Sequence, residues 1–223
     1  MDEADVPYWR VNVPKEQWPA ECPEFLRDLG ERDQQLVDRW DQDYHRLSWP
    51  EVKKAIENNQ LDRFVRVPSD HRRYLEYNAQ LRKKHGSVMD FVLKERLQWT
   101  ELEQKDPAPF RDPGTDDIKI LCNDWPYGID ERIVHLVVWT KFDLPDDPDT
   151  KELTQEMRRE IDEYVDKTFC QAVAKENVIW FKNWKSLKSI HSVEHFHVML
   201  FDPDPKFIEQ VTHGDIPLSR SVQ

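Results

Sequence analysis

Hydrophobic spacing divides the chain in two. Up to about residue 100 the apolar positions recur at helical intervals. Phe25, Leu29, Leu36, Trp40, Tyr44 and Leu47 predict helix across that stretch. Ser48-Trp-Pro-Glu51 reads as an N-cap followed three residues on by a capping-box glutamate. It opens a helix carrying Val52, Ala55 and Ile56 that fades at Asn58-Asn59. Pro68-Ser-Asp70 starts another, with Tyr74, Leu75 and Leu81 inside it and His85-Gly86 at its end, because glycine accepts the left-handed conformation there. Ser87 caps a further helix with Val88, Phe91, Val92 and Leu97.

Residues 104–117 carry three prolines, a glycine and several charges, which predicts a linker or surface loop. Beyond it the period becomes two. Strands are predicted over 118–122, 132–141, 177–183 and 192–200. A turn-like Asn123-Asp-Trp-Pro-Tyr-Gly128 separates the first two. A long charged helix over about 150–174, with Leu153, Met157, Ile161, Tyr164, Val165 and Phe169 on one stripe, separates the second and third. Strand–turn–strand–helix–strand–strand is an α+β pattern. The expected organisation is a helical N-terminal region over 1–103 packing on the core, a linker over 104–117, an α+β core over 118–205, and a C-terminal tail over 206–223.

The last strand holds the most pointed chemistry. Alternation along Ser192-Val-Glu-His-Phe-His-Val-Met-Leu200 puts Val193, His195, His197 and Met199 on one face, and Glu194, Phe196, Val198 and Leu200 on the other. His135 sits in the middle of the other strong strand. A single strand histidine usually donates to a backbone carbonyl and does no more. Two at i and i+2, with a third on another strand, mark His135, His195 and His197 as candidate catalytic residues. Around them, Asn123, Asn183, Lys185, Lys188, Ser189 and Ser192 are candidates for contacting a substrate. A solvated loop is the plainer account of the lysines, and a turn cap the plainer account of Asn123. Arg72, Arg73 and Arg82-Lys-Lys84 are candidates for a far wall, or simply exposed helix faces. Trp125 and Tyr127 are placed to stack a base or to plug a core edge.

Composition narrows the partners. The chain has 223 residues and a formal net charge of −12, so a nucleic-acid polymer is a poor partner and a small phosphorylated ligand in a local basic pocket is compatible. Three cysteines without a paired spacing are not a disulfide framework. No apolar run is long enough for a membrane span and no signal-peptide pattern is present, which predicts a cytoplasmic protein without membrane contact. No phosphate-binding loop, dinucleotide fingerprint or serine-nucleophile elbow occurs, and no cofactor or metal is expected. A His/Cys metal site built from His135, His195, His197 and Cys122 is a rival reading. A protein–protein interaction module is another. The sequence leaves the oligomeric state open.

The order of elements over 118–204 resembles the histidine-triad (HIT-like) superfamily of nucleotidyl hydrolases and transferases. The resemblance rests on Asn123-Asp-Trp-Pro126, on His135 in its strand, on the helix and strand that follow, and on Ser192-Val-Glu-His195-Phe-His197-Val-Met199. It implies a HIT-like antiparallel sheet with a packed helix. It also implies a nucleophilic role for His197, supporting roles for His195 and His135, and phosphate contact by Ser192. Met199 stands where that pattern has its third histidine, and a thioether cannot donate a hydrogen bond. Over nearly its full length the chain is also similar to the fungal N-acetylglucosamine-induced protein 1 family. The matching segments are Arg66-Val-Pro-Ser-Asp70, Arg73-Tyr74, Gly86-Ser87, Glu95-Arg-Leu-Gln-Trp99, Asn123-Asp-Trp-Pro-Tyr-Gly128, Asn183-Trp-Lys-Ser-Leu-Lys-Ser189 and Glu194-His-Phe-His197. Together these resemblances imply a protein of the fungal amino-sugar response that binds a nucleotide or sugar-nucleotide phosphate. Hydrolysis or transfer through a histidine, and plain binding at a degenerate site, are the two alternatives.

Overall fold

A computed structural model describes residues 6–112, 114–150, 152–183 and 193–221. Four strands, β1 (Ile118–Cys122), β2 (Ile133–Thr140), β3 (Val178–Phe181) and β4 (Glu194–Phe201), form one antiparallel sheet in the order β1-β2-β4-β3. The helices are α1 (Glu31–Val37), α2 (Trp49–Glu57), α3 (Pro68–His85), α4 (Val88–Phe91), α5 (Gln155–Thr168), α6 (Pro205–Val211) and α7 (Leu218–Ser221). The mixed helix and antiparallel-sheet class read from the sequence is what the chain adopts.

Both central strands are buried on both faces. The even positions Leu136, Val138, Phe196, Val198 and Leu200 pack against Ile161, Val165 and Phe169 of α5 and its C-terminal turn. Ile161 and Val165 are four residues apart, so one stripe of α5 meets the sheet. Each fully buried leucine, valine or phenylalanine in this layer contributes roughly 1.5–3 kcal/mol of transfer free energy. α5 is shorter than its apolar stripe predicts. Thr154 caps it, accepting from Met157 N at 3.2 Å, and Leu153 instead bridges Asp146 as extended backbone. Phe110, in the proline-rich stretch 104–117, packs on this same side against Phe142, Tyr164 and Phe196. Buried Asp117 holds that stretch by accepting from Lys105 N and Asp106 N, each at 2.7 Å.

The odd positions of β2 and β4 face the N-terminal half. Ile133 and Met199 join Leu47, Trp49, Val52, Ala55, Leu61, Phe64 and Phe181. Val137 and Trp139 join Leu81, Phe91, Val92 and Leu97. The helix expected across 25–47 is broken up: a 3-10 turn over Glu24–Leu26, α1, and a second 3-10 turn over Asp41–Asp43. Pro23 and Gly30 stand as the residues before the first two, and neither continues a helix well. α2 begins as expected, with Ser48 N donating to Glu51 Oε2 at 2.9 Å. The helix expected to run from Ser87 to Leu97 starts as α4 but widens into a π-helical turn over Val92–Leu97. A two-stranded bridge ties the halves together: Leu47 N donates to Gly128 O at 3.1 Å and Asp130 N to Leu47 O at 2.9 Å.

Candidate functional site

The antiparallel register sets the floor of the site. His197 lies opposite Val137, His135 opposite Met199, and Trp139 opposite His195. Strand alternation therefore gathers all three histidines on the face turned toward the N-terminal half, and all three are buried. His135 Nε2 and His197 Nδ1 are 3.0 Å apart and share a proton. His195 donates Nδ1–H to Val193 O at 2.9 Å and lies against Trp139, ring centroids 4.5 Å apart. Phe181 stacks on His197 at 4.9 Å and 18°.

Two asparagines complete the floor. Asn123 N donates to His135 O at 2.8 Å, continuing the ladder past β1. Asn123 Oδ1 accepts from Trp125 N at 3.0 Å, which turns Nδ2 toward His135 Nδ1 at 3.2 Å. Asn183, at the end of β3, places Nδ2 3.0 Å from His197 Nε2 and 3.2 Å from Tyr127 Oη. The fold thus brings together His135, His195, His197, Asn123 and Asn183. Lys185, Lys188, Ser189 and Ser192 lie outside the described residues.

Above this floor is a cavity of about 460 Å³, roofed by α3, α4 and the Leu61–Arg66 segment. Among the described residues its wall contains Arg32, Arg66, Arg82 and Arg96, but of the carboxylates only Asp33 and Asp124. Arg96 is neutralised. It binds Asp215 through two bonds of 2.8 and 3.0 Å and Asp124 at 2.7 and 3.0 Å. Arg66 is different. It is half-buried, donates Nε–H to Trp125 O at 3.0 Å, and lays its guanidinium over Tyr74 at 3.8 Å. It makes no ion pair among the described residues. Burial, assisted by the positive charge of Arg66, pushes the His135 pKa down to about 3, so that ring is neutral. Across the cavity Asp33 accepts from His71 at 3.0 Å, which holds its carboxyl below the ordinary carboxylate range against the opposing effect of burial.

Arg66 was visible in the sequence only as part of a matching segment; its role as a cavity cation emerges from the fold. Of the arginines proposed for a far wall, only Arg82 lines the cavity. Arg72 donates to Trp9 O and Arg73 to Ser219 O. Trp125 and Tyr127 both line it. Cys122 points to the α5 side, with its thiol 3.5 Å from Asp215 O and pushed up to about 11 by burial. Among the described residues no group of three or more histidine, cysteine, aspartate or glutamate side chains is placed to hold a metal. No helix among them is long and apolar enough to cross a membrane.

Floor and roof come from segments far apart in the chain, and one family pattern covers both. Residues 48–201 match the family described as "Protein of unknown function (DUF3605)". The chain belongs to that family. The DUF3605 match runs from the Ser48 cap of α2 to the last residue of β4, so Arg66, both asparagines and all three histidines lie inside it. Among similar proteins, N-acetylglucosamine-induced protein 1 of Candida albicans is 28% identical over 186 residues, covering 75% of this chain and 73% of that protein. The Saccharomyces cerevisiae protein YPL067C, described as uncharacterized, is 25% identical over 199 residues, covering 83% of this chain and 99% of that one. The crystal structure of HTC1 superimposes with a TM-score of 0.61 at 25% identity, over 77% of this chain and 99% of that one. The similarity to the fungal N-acetylglucosamine-induced protein read from the sequence is therefore present.

Proposed function

We propose that this protein binds a small phosphorylated ligand, a nucleotide or nucleotide sugar, in the cavity between the histidine face of a HIT-like sheet and the N-terminal helices. The observation that carries the reading is Arg66. In a chain of net charge −12 it is a half-buried guanidinium, preset by Tyr74 and Trp125 O and without a carboxylate partner among the described residues. A planar fork held that way suits a phosphate or carboxylate. Among the described residues the other arginines of the wall outside the Arg96 cluster are Arg32 and Arg82, opposed by Asp33. The cavity volume lies within the range of small-molecule sites. The amino-sugar link comes from the name of the Candida albicans relative, and it makes nucleotide sugars the first ligands to test.

Binding without turnover is the reading that Met199 favours. At the position of a third triad histidine it is fully buried among Leu47, Trp49, Ile133 and Phe181 and has no reach to a phosphate. Nucleotidyl hydrolysis or transfer is the alternative that the HIT-like order of elements supports. The deciding experiment is a thermal-shift and calorimetric screen of nucleotides and nucleotide sugars on the wild type and Arg66→Ala, with chromatography of the recovered ligand. A binding ligand raises the melting temperature by mass action. Stabilisation of the wild type that weakens at least about tenfold in Arg66→Ala supports the site. Equal affinity in the two proteins removes it, and consumption of the ligand replaces plain binding with catalysis.

A further inference from the structure

α3 turns one stripe toward the cavity: His71, Tyr74, Asn78 and Leu81, at spacings of three and four. Leu81 packs in the apolar cluster with Phe91 and Val137, Tyr74 carries the Arg66 guanidinium, and His71 is held by Asp33. Asn78 is different. It is only 5% exposed, and its side chain makes no hydrogen bond among the described residues. Asparagine is a poor residue for a helix interior, and burying it unpaired takes two donors and an acceptor oxygen out of water. Leucine would serve the stripe better if packing were the only demand. Among the described residues, His71 Nδ1 and Asn183 Oδ1, on the same wall, are likewise buried without a hydrogen-bond partner. These groups do not suit an ionised phosphate. Asn183 Oδ1 is an acceptor, and a phosphate oxygen has no proton to give it. A hydroxyl both donates and accepts, so it satisfies an amide oxygen and an amide nitrogen alike.

We propose that Asn78 reads hydroxyl groups, and that the ligand class is a sugar phosphate, free or linked to a nucleotide, with its anion on Arg66 and its sugar ring against Asn78. This deepens the ligand-binding reading and rests on it for the anion. The two residues are close enough for one small ligand. Asn78 follows Tyr74 by one helical turn, about 5.4 Å of rise, and Arg66 lies on the Tyr74 ring. Flat apolar surface for the C–H face of a sugar is present beside it: Tyr77, the preceding residue, and Trp125 line the cavity with ring centroids 5.7 Å apart. A bare phosphate or diphosphate leaves the Asn78 amide unsatisfied and gains only the Arg66 contact. The sugar is therefore the part of the ligand that this wall selects.

Asn78→Leu tests this, because it removes the whole amide while favouring the helix and the apolar stripe. Calorimetry on the wild type and the variant uses four probes: UDP-N-acetylglucosamine, N-acetylglucosamine 1-phosphate, UDP and pyrophosphate. The expected loss of affinity in the variant is at least about tenfold for the two sugar-bearing probes and less than about twofold for the other two. The urea midpoint of the ligand-free variant should be unchanged or raised. A lowered midpoint with affinity lost for all four probes alike makes Asn78 a structural residue and overturns the proposal. Unchanged affinity for both sugar-bearing probes overturns it too. So does a loss shared by UDP and UDP-N-acetylglucosamine but not by N-acetylglucosamine 1-phosphate, which assigns Asn78 to the base. Arg66→Ala separates this proposal from the reading beneath it. Binding of all four probes that depends on Arg66 but not on Asn78 keeps the anion site and removes the sugar site, whereas a wild type that binds none of the four removes both.

Discussion

The buried His135 ring makes stability depend on pH in a calculable way. Its pKa falls from the ordinary 6.5 to about 3 on folding, first because burial penalises the charged ring and then because Arg66 repels it. The unfolded chain therefore binds a proton at pH values where the native state does not. Stability is complete above the unfolded value of 6.5, and is lost progressively as pH falls from there toward the folded value. One proton taken up only on unfolding gives a slope of about 1.4 kcal/mol per pH unit. Between about pH 7.5 and about pH 5.5 that amounts to about 1.4 kcal/mol, and by about pH 4.5 to nearly 3 kcal/mol. Carboxylates and other histidines titrate in the same interval, so the quantity to read is a difference. Urea unfolding of the wild type and His135→Gln across this range should give two curves that diverge by these amounts, with the wild type losing more as pH falls. Glutamine keeps a donor near His197 Nδ1 and removes the titration. Curves that stay parallel within about 0.5 kcal/mol, a margin set by extrapolation error, would mean that His135 is not held neutral by the fold.

Three other perturbations follow from the same packing. Asp215→Ala should destabilise by about 2–3 kcal/mol in urea unfolding, because it leaves the mostly buried Arg96 with Asp124 alone and strips Cys122 N of its acceptor at 2.9 Å. Gly128→Ala should cost about 1–3 kcal/mol, since the new methyl meets the ring and hydroxyl of Tyr44, which is itself held by Val65 O and Gly128 O; an unchanged midpoint would mean the Tyr44 ring yields freely. Met199→His, which restores the third histidine, should lower the midpoint by the equivalent of about 2 kcal/mol with no gain in affinity for nucleotides, because that position faces Leu47 and Trp49; improved binding without destabilisation would show that it reaches the ligand.

The sheet was legible because β2 and β4 are short, largely apolar runs of strand length bounded by strong breakers. Asp202-Pro203 closes β4, and the Asn123–Gly128 turn separates β1 from β2. The histidine face was legible because period two fixes sidedness whatever the partner strand is. The first half was not. Its apolar residues fit helical spacing over 25–47, yet short 3-10 turns separated by extended residues satisfy the same burial, so spacing alone did not exclude them. Arg66 was illegible as a site residue. It lies in an irregular segment just before α3, where no periodicity says which way a side chain points; only contact with Tyr74 and Trp125 reveals it.

What joins these parts is the bridge between Leu47 and the Asn123–Gly128 turn. Gly128 N donates to Val65 O at 2.8 Å and Gly128 O accepts from Leu47 N, so the turn that carries Asn123 is stitched to the segment that carries Arg66. Arg66 Nε–H on Trp125 O is a third stitch between the same two pieces. Arg66 of the roof and Asn123 of the floor are thereby held by one short cross-connection. Their spacing does not depend on the longer path through α3 and α4. A ligand reaching from Arg66 to the histidine face would span this connection. Its binding energy is then felt by the roof and the sheet together, which is why melting temperature is an appropriate first readout for a site of this construction.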